Sequence, residues 1–591
     1  MPGARQASAR QQFAVTNRGS TMTLSSLRVR LAFLILIVFA LSSATHAGHP
    51  NLRQINSLRE KVDKVFAQWD KPDSPGCELA VIKDGQIVYK RGYGMANLEH
   101  SIPMSPTSIM DTGSVSKQFT AMAIALLAEQ GKLALDDDVR KYLPEIPQYG
   151  VPVTIRHLIH HISGIRDYLT LMSVAGMRDD DYYVDGEVVN LLARQKELNF
   201  KPGNEFLYSN SGYFLLSQIV KRASGRTLRE FADENIFKPL GMTRTKFYDD
   251  HNEIVKNRAA SYVPRTGGGF QIAATALDMV GDGNVFTCVE DLFLWDQNFY
   301  HNKLGKGRQE LISQVLTTGT LNGGEKIDYA FGLVIGEYRG LPIVEHGGAF
   351  VGYRAMTMRF PDQRFSVIMQ CNLGTMNPSN LARRVADIYL ADQFKADAKR
   401  PGASGAKFIE LPEQELNDKA GAYRNQINGG IWKLSVKEGK LLADVPNTTI
   451  RFGAVNATEF RSIGTPLEFT LRFEKQGQTS TLRMQRGTDK PVTLEAVQLV
   501  TPTPSQLAEY TGDYRSDEVQ ATYKIVLQNG KLFLRHENEF KDYPKNPLQP
   551  TTSDTFFVQG LNLQFTRDPR KQVTAFTLNA GRVKNIKFVK K

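Results

Sequence analysis

The chain has 591 residues, 41% of them hydrophobic and 23% charged, with a mean hydropathy of −0.32. At roughly 150 residues per domain this predicts two to four globular domains, and it excludes a collagen-like, mainly disordered or polytopic membrane protein, because apolar side chains suffice for real cores and only one long apolar run occurs. The formal charge of +12 includes five arginines and no acid in residues 1–47; without them +7 remains, spread over a long chain with no dense Lys/Arg tract, so nucleic acid is not an expected partner.

Arg28 and Arg30 precede the apolar run Leu31 to Leu41, after which Ser42, Ser43, Ala44, Thr45, His46 and Ala47 are small or polar. A charged start, a short apolar stretch and a small-residue exit describe a secretory signal cut after Ala44 or Ala47, with Met22 a better start than Met1. The alternative is an uncleaved N-terminal anchor. Export predicts a periplasmic or secreted protein with no stable membrane insertion after cleavage. No cysteine follows the apolar run, so a lipoprotein anchor is not supported. Cys77, Cys288 and Cys371 are odd in number and far apart, and the expectation is buried inert thiols with at least one unpaired.

From about Asn51 to Phe394 the pattern mixes strands and helices. CELAVIKDGQIVYKRGYG reads as a hairpin around Asp84-Gly85, and SVSKQFTAMAIALLAEQGKL as a mostly buried helix stopped by Gly131. PIVEHGG, YRAMTMRF and FSVIMQCNL read as sheet strands, and NPSNLARRVADIYLADQF as an amphipathic helix. The result is an α/β or α+β domain. Residues 396–406 (ADAKRPGASGA) read as a linker, beyond which short alternating strands dominate. This last region repeats itself: Gly421-Ala422-Tyr423-Arg424, Trp432-Lys433 and Gly439-Lys440-Leu441 recur 91 positions later as Gly512-Asp513-Tyr514-Arg515, Tyr523-Lys524 and Gly530-Lys531-Leu532. Two small antiparallel β-barrel modules follow, since closure removes edge strands; one larger barrel built from both copies is the alternative.

Three constellations carry chemistry. Ser114-Val115-Ser116-Lys117 opens the buried helix, and a spacing of three puts Ser114 and Lys117 on one face, where helix-end N–H groups support the hydroxyl and an amine against an apolar wall can help activate it. Ser404-Gly405-Ala406-Lys407 matches the same pattern but lies in the linker. Tyr208-Ser209-Asn210 offers a phenol to shuttle protons and an amide to hold a carbonyl or orient the lysine; Tyr300-His301-Asn302 and Tyr423-Arg424-Asn425 match the bare pattern without that context. His346-Gly347-Gly348 ends an apolar stretch, and its glycines let a substrate lie against the strand, with the Ala349 and Ser114 N–H groups forming an oxyanion hole.

These motifs in this order, with the flanking GSVSKQFTA, GKLALDDDVRKYLPE, IRHLIHHISGI, YSNSGYFLLSQIV and FKPLGM, resemble the serine β-lactamase and penicillin-binding-protein superfamily over about Lys61 to Gln393, in particular its class C-like hydrolases. The resemblance implies a sheet flanked by a helical subdomain with the site between them. It makes Ser114 the acylated nucleophile and Lys117 with Tyr208 the base and proton relay; Asn210 positions the acyl amide and His346 faces the leaving group or substrate carboxylate. No cofactor or metal is implied. His346 stands where true β-lactamases usually carry lysine, which favours peptidase and esterase members on small peptide or ester substrates. The paired modules, lipocalin-like in this reading, resemble the D-aminopeptidase architecture, in which a barrel loop helps shape the cleft; D-residue substrates and D,D-carboxypeptidase-like cleavage enter on that ground, and a catalytically dead binding protein is the contrasting class. Domains are expected at 1–47 (leader), 48–395 (hydrolase), 396–410 (linker), 411–501 and 502–591 (modules). His157, His160 and His161 lack the glutamate of a zinc motif, and Asp136, Asp137 and Asp138 read as a solvated turn rather than a calcium loop.

Overall fold

The computed structural model describes residues 52–178, 181–395, 408–426, 429–445, 448–465, 469–476, 479–486, 491–537 and 546–591. The leader expected over 1–47 and most of the linker expected over 396–410, with its Ser404 pattern, lie outside the described residues. None of the described helices is long and apolar enough to cross a membrane.

A six-stranded antiparallel sheet organises the N-terminal region. Its strands are β1 (Cys77–Lys83), β2 (Gln86–Tyr93), β3 (Val334–Tyr338), β4 (Leu341–Phe350), β5 (Tyr353–Phe360) and β6 (Phe365–Cys371), in the order β3-β4-β5-β6-β1-β2. β1 and β2 form the expected hairpin, and Asp84 and Gly85 take φ of 50° and 80°, the left-handed pair that matches a two-residue turn to strand twist. The helices that matter here are α1 (Leu52–Phe66), α2 (Lys117–Glu129), α3 (Asn210–Ser224) and α4 (Pro378–Tyr389); α4 packs on β5 and β6, and the helix Val289–Asn298 packs on β1 and β6. Alternation decides which face each side chain serves. Leu79 and Val81 pack with Phe66 of α1 and Leu381 and Val385 of α4, whereas Ala80 and Ile82 join the core of α2 and α3. CELAVI is therefore apolar on both faces except for Glu78. α2 is buried from Lys117 to Leu127, as an all-round apolar helix must be.

The strand order places β1 beside β6 with Cys77 opposite Cys371, and the two form a disulfide across 294 positions of sequence. The expectation of inert thiols is corrected for this pair: the sequence shows two apolar strands but not that the sheet makes them neighbours. Cys288 is a free, buried cysteine.

The N-terminal region is followed by two eight-stranded sheets. From Gly421 to Val497 the strands close into a barrel, the last (Val492–Val497) pairing with the first (Gly421–Asn425). From Gly512 to Lys590 a second sheet nearly closes: its outer strands, Lys531–His536 and Gln549–Pro550, are bridged by Leu548 N–H donating to Leu532 O at 2.8 Å. These are two sheets, not one barrel shared by both copies. The 91-residue repeat extends to features absent from the sequence reading. Short helices Glu413–Asn417 and Pro504–Ala508 precede the two first strands. The Tyr423 and Tyr514 hydroxyls each donate to the carbonyl four residues back, Lys419 O at 3.0 Å and Tyr510 O at 2.8 Å.

The second module docks on the loops that follow His161. Arg166 is fully buried and pairs with Glu518 at 2.6 Å; the Tyr523 hydroxyl donates to Val174 O at 2.9 Å; Asn199 donates to Arg582 O and accepts from Lys584 N–H.

Candidate active site

Ser114 lies in a 3-10 turn, Gly113–Ser116, that runs directly into α2. Ser116 fixes the turn, its Oγ accepting the Val285 N–H at 2.9 Å and lying 2.9 Å from the Thr112 hydroxyl. Lys117 is wholly buried, and its Nζ, with three donors, meets three acceptors: Ser114 Oγ at 3.2 Å, Asn210 Oδ1 at 3.0 Å and Asp282 O at 2.6 Å. Three residues distant in sequence thus converge on one nitrogen beside the serine.

Asn210 begins α3. Its backbone N–H donates to Asp167 Oδ2 at 2.7 Å while its side-chain oxygen faces Lys117, leaving the amide NH2 without a protein partner among the described residues. Tyr208, two residues earlier, lies with its ring centroid 5.0 Å from Lys117 Nζ and packs at 4.1 Å against His161. Its hydroxyl is buried and makes no hydrogen bond among the described residues. His161 is itself fully buried; its Nδ1 accepts the Ser209 N–H at 3.2 Å, and burial, followed by the charge of Lys117, holds the imidazole pKa well below the usual range. A neutral ring therefore props Tyr208 from behind.

His346 lies on β4. Its Nδ1 donates to Gly347 O at 2.6 Å and its Nε2 accepts the Tyr329 hydroxyl at 3.0 Å, so both ring nitrogens are used within the protein. Burial first, and then Lys117, push its pKa down to about 4, so the ring carries no charge at neutral pH. The two glycines after it are not equivalent. A Cβ on Gly348 would fall 1.8 Å from Thr112 O, whereas one on Gly347 would meet nothing closer than Ser379 Oγ at 3.7 Å. Gly348 is required because β4 lies against the backbone just before Ser114, which brings Ala349 to the serine turn.

Ser114, Tyr208, Asn210, His346, Gly347, Gly348 and Ala349 all line one cleft of about 760 Å³, with Lys117 beneath it. Sequence reasoning missed the Asp282 carbonyl, Asp167, His161, Tyr329 and Arg582. Asp282 had a signal, an acid within Gly281-Asp282-Gly283-Asn284; its carboxyl accepts the Tyr168 hydroxyl at 3.2 Å, and burial raises its pKa to about 6. Arg582 comes from the second module, so a module loop does reach the cleft. The other histidines serve elsewhere: His157 Nδ1 accepts the Thr154 N–H in a helix cap, and His160 Nδ1 donates to Tyr329 O. Asp136 pairs with Arg156, Asp137 accepts the Ala134 N–H and Asp138 caps a short turn. Neither Tyr300-His301-Asn302 nor Tyr423-Arg424-Asn425 is among the residues lining the cleft.

With this geometry in hand, the chain's relatives become informative. The Beta-lactamase family matches residues 62–391, and a domain of unknown function, DUF3471, matches 496–590. A D-aminopeptidase of Brucella anthropi is 26% identical over 528 residues, covering 87% of this chain and 95% of that protein. Penicillin-binding protein 4* of Bacillus subtilis (strain 168) is 33% identical over 319 residues, 51% of this chain and 69% of that protein. Among solved structures, the octameric penicillin-binding protein homologue from Pyrococcus abyssi aligns with a TM-score of 0.53 at 25% identity, covering 75% of this chain and 100% of that one.

Proposed function

The chain belongs to the beta-lactamase family and is a serine hydrolase; on that premise we propose that it hydrolyses amide bonds of small peptides, D-residue-containing ones among them, through an acyl-enzyme on Ser114. The observation that carries this reading is the single lysine nitrogen in reach of both Ser114 Oγ and Asn210 Oδ1, with the unpartnered Tyr208 hydroxyl alongside.

In this scheme Ser114 Oγ attacks the amide carbon while its proton passes to the Lys117–Tyr208 pair. The carbonyl oxygen takes the negative charge and is held by the Ser114 and Ala349 N–H groups. The C–N bond then breaks, the leaving nitrogen takes the proton back from Tyr208, and water hydrolyses the ester on Ser114 by the same relay in reverse. The free amide NH2 of Asn210 donates to the substrate's acyl-side carbonyl. The neutral His346 sets this site apart from one built around a lysine for a β-lactam carboxylate, and so favours peptides over antibiotics. The D-aminopeptidases that align with nearly the whole chain support D-residue substrates, and the Cys77–Cys371 disulfide supports export to an oxidising compartment.

The test is intact mass after treatment with a fluorophosphonate, followed by rates on D- and L-alanyl anilides, a short-chain ester and a chromogenic cephalosporin. A single adduct on the wild type, none on Ser114→Ala, and fastest turnover of a D-anilide are expected. An adduct that persists in Ser114→Ala, or faster cleavage of the cephalosporin, would sink the reading.

A further inference from the structure

The acyl-transfer reading leaves open which end of the substrate carries charge, and the side chain that bears on this comes from the far end of the chain. Arg582 sits in the turn between strands Val573–Ala580 and Val583–Lys590. The turn is fixed on the catalytic region: Arg582 O accepts Asn199 Nδ2 at 2.8 Å, and Lys584 N–H donates to Asn199 Oδ1 at 2.7 Å. From it the guanidinium reaches over the Tyr208 ring, 4.9 Å from the centroid, with 43% of the side chain still exposed.

Among the described residues that guanidinium has one ion pair, and it is a long one. The nearest carboxylate oxygen, Asp167 Oδ2, is 3.9 Å away and already accepts the Asn210 N–H, while Asp167 Oδ1 accepts the Thr170 N–H; the Asp167 side chain is 1% exposed and closed to a substrate cation. None of the five N–H donors of Arg582 makes a hydrogen bond among the described residues. The other cleft charges point the same way. Arg354, across the cleft, donates to the carbonyls of Val351 and Tyr353 and pairs with no acid among the described residues. The Asp282 carboxyl is occupied by the Tyr168 hydroxyl and His346 is neutral. The carboxylates at the cleft thus have their oxygens engaged within the protein, and the charged group with donors open to a ligand is the Arg582 guanidinium. Arg582 lines the main cleft with Tyr208 and His346 and also an adjoining extension with Asn210, Leu169, Thr170 and Ala349 that His346 does not line; because Asn210 holds the acyl-side carbonyl in the scheme above, that extension is the acyl side of the scissile bond.

We propose that Arg582 is a specificity-determining residue that selects substrates whose acyl group carries a carboxylate and disfavours those with a free ammonium there. The inference rests on acyl transfer at Ser114 and on the acyl-side role of Asn210. The carboxylate accepts guanidinium N–H groups in the geometry that suits arginine, and no covalent step changes. The preferred amides are thus acidic and blocked at the amine rather than those of an ordinary aminopeptidase.

Three p-nitroanilides of D-alanine test this with the full chain: N-succinyl (carboxylate), N-acetyl (neutral) and the free amine (ammonium), with Ser114→Ala as the blank. The wild type is expected to favour succinyl over acetyl in kcat/KM by roughly tenfold or more, with the amine last, the size of a charge-assisted hydrogen bond. Added salt should shrink the preference, since the guanidinium is part-exposed. Arg582→Gln should bring the succinyl-to-acetyl ratio to about one. Arg582→Lys should keep part of the preference, and Arg582→Glu should reverse it toward the amine. A wild-type ratio near one, or a ratio untouched by Arg582→Gln, overturns the proposal while leaving acyl transfer standing. Hydrolysis of none of the three, or activity surviving Ser114→Ala, overturns the acyl-transfer reading and this inference with it.

Discussion

The two C-terminal modules share a scaffold and differ in what they touch. Both carry the same left-handed hairpin turns at Glu438-Gly439 and Asn529-Gly530, the same short entry helix with a buried leucine (Leu416, Leu507), and the same corner tyrosine (Tyr423, Tyr514). Among the described residues, the second alone lines the cleft. Its docking residues Glu518 and Tyr523 have Ile427 and Trp432 as counterparts 91 positions earlier. Indole lacks a hydroxyl for Val174 O, and an isoleucine has no charge with which to neutralise Arg166. What repeats is what a β-module needs to fold; what does not repeat is what ties one copy to the site.

That contrast is easiest to break at its strongest point. Arg166–Glu518 and Arg451–Glu438 are both 2.6 Å pairs, the first with side chains 0% and 6% exposed, the second 47% and 66%. Glu518→Ala leaves a buried guanidinium unpaired and should cost about 3–5 kcal/mol in urea unfolding, whereas Glu438→Ala should cost no more than about 0.5 kcal/mol. Equal losses would mean that the buried pair does not hold the module.

Acid should separate the regions next, because residues 411–591 contain a single histidine, His536. His160 and His346 have pKa values pushed down to about 4 by burial, from 6.5. Between pH 6.5 and 5 the unfolded imidazoles take up protons that the folded ones refuse, so each should cost about 2 kcal/mol of stability over that window. Asp282 runs the other way: with its pKa raised from 3.8 to about 6, its contribution is full below pH 4 and lost as the pH rises toward 6. Asp111, raised by burial to about 7, opposes the histidines in the same way, so the expectation attaches to the single ring: His346→Gln should remove its share of the acid-induced loss, and an unchanged profile would show that this ring is not what resists protonation. The smallest effect should be the most symmetrical. Tyr423→Phe and Tyr514→Phe each remove one corner hydrogen bond and should each cost about 1 kcal/mol, with unequal losses marking where the repeat has stopped being structural.

Local chemistry was legible in the sequence, and adjacency was not. The Asp84-Gly85 hairpin, the buried helix after Ser114 and the 91-residue repeat each follow from short-range rules of turn geometry and periodicity. The serine, lysine and asparagine were visible because they sit in short motifs. The residues that surround them were invisible for a common reason: Asp167, Arg582 and Glu518 act through contacts between segments far apart in the chain, and nothing near any of them in sequence marks it. The cysteines show the same limit, since β1 and β6 look like ordinary strands until the sheet order puts them side by side. Gly347-Gly348 shows a subtler one. The pair reads as room for substrate, yet one of the two is demanded by the protein's own backbone at Thr112.

The Cys77–Cys371 bond has a consequence for how the molecule breaks. It closes a covalent ring containing Ser114, Lys117, Tyr208, Asn210 and His346, with Arg582 on the tail outside. A protease that nicks the exposed turn at Arg265 to Gly269 opens the ring without releasing a fragment, and the two pieces run as one band on a denaturing gel until reductant is added. A nick anywhere between residues 372 and 581 instead cuts the tail from the ring, so that on the same gel Arg582 runs apart from Ser114 with or without reductant.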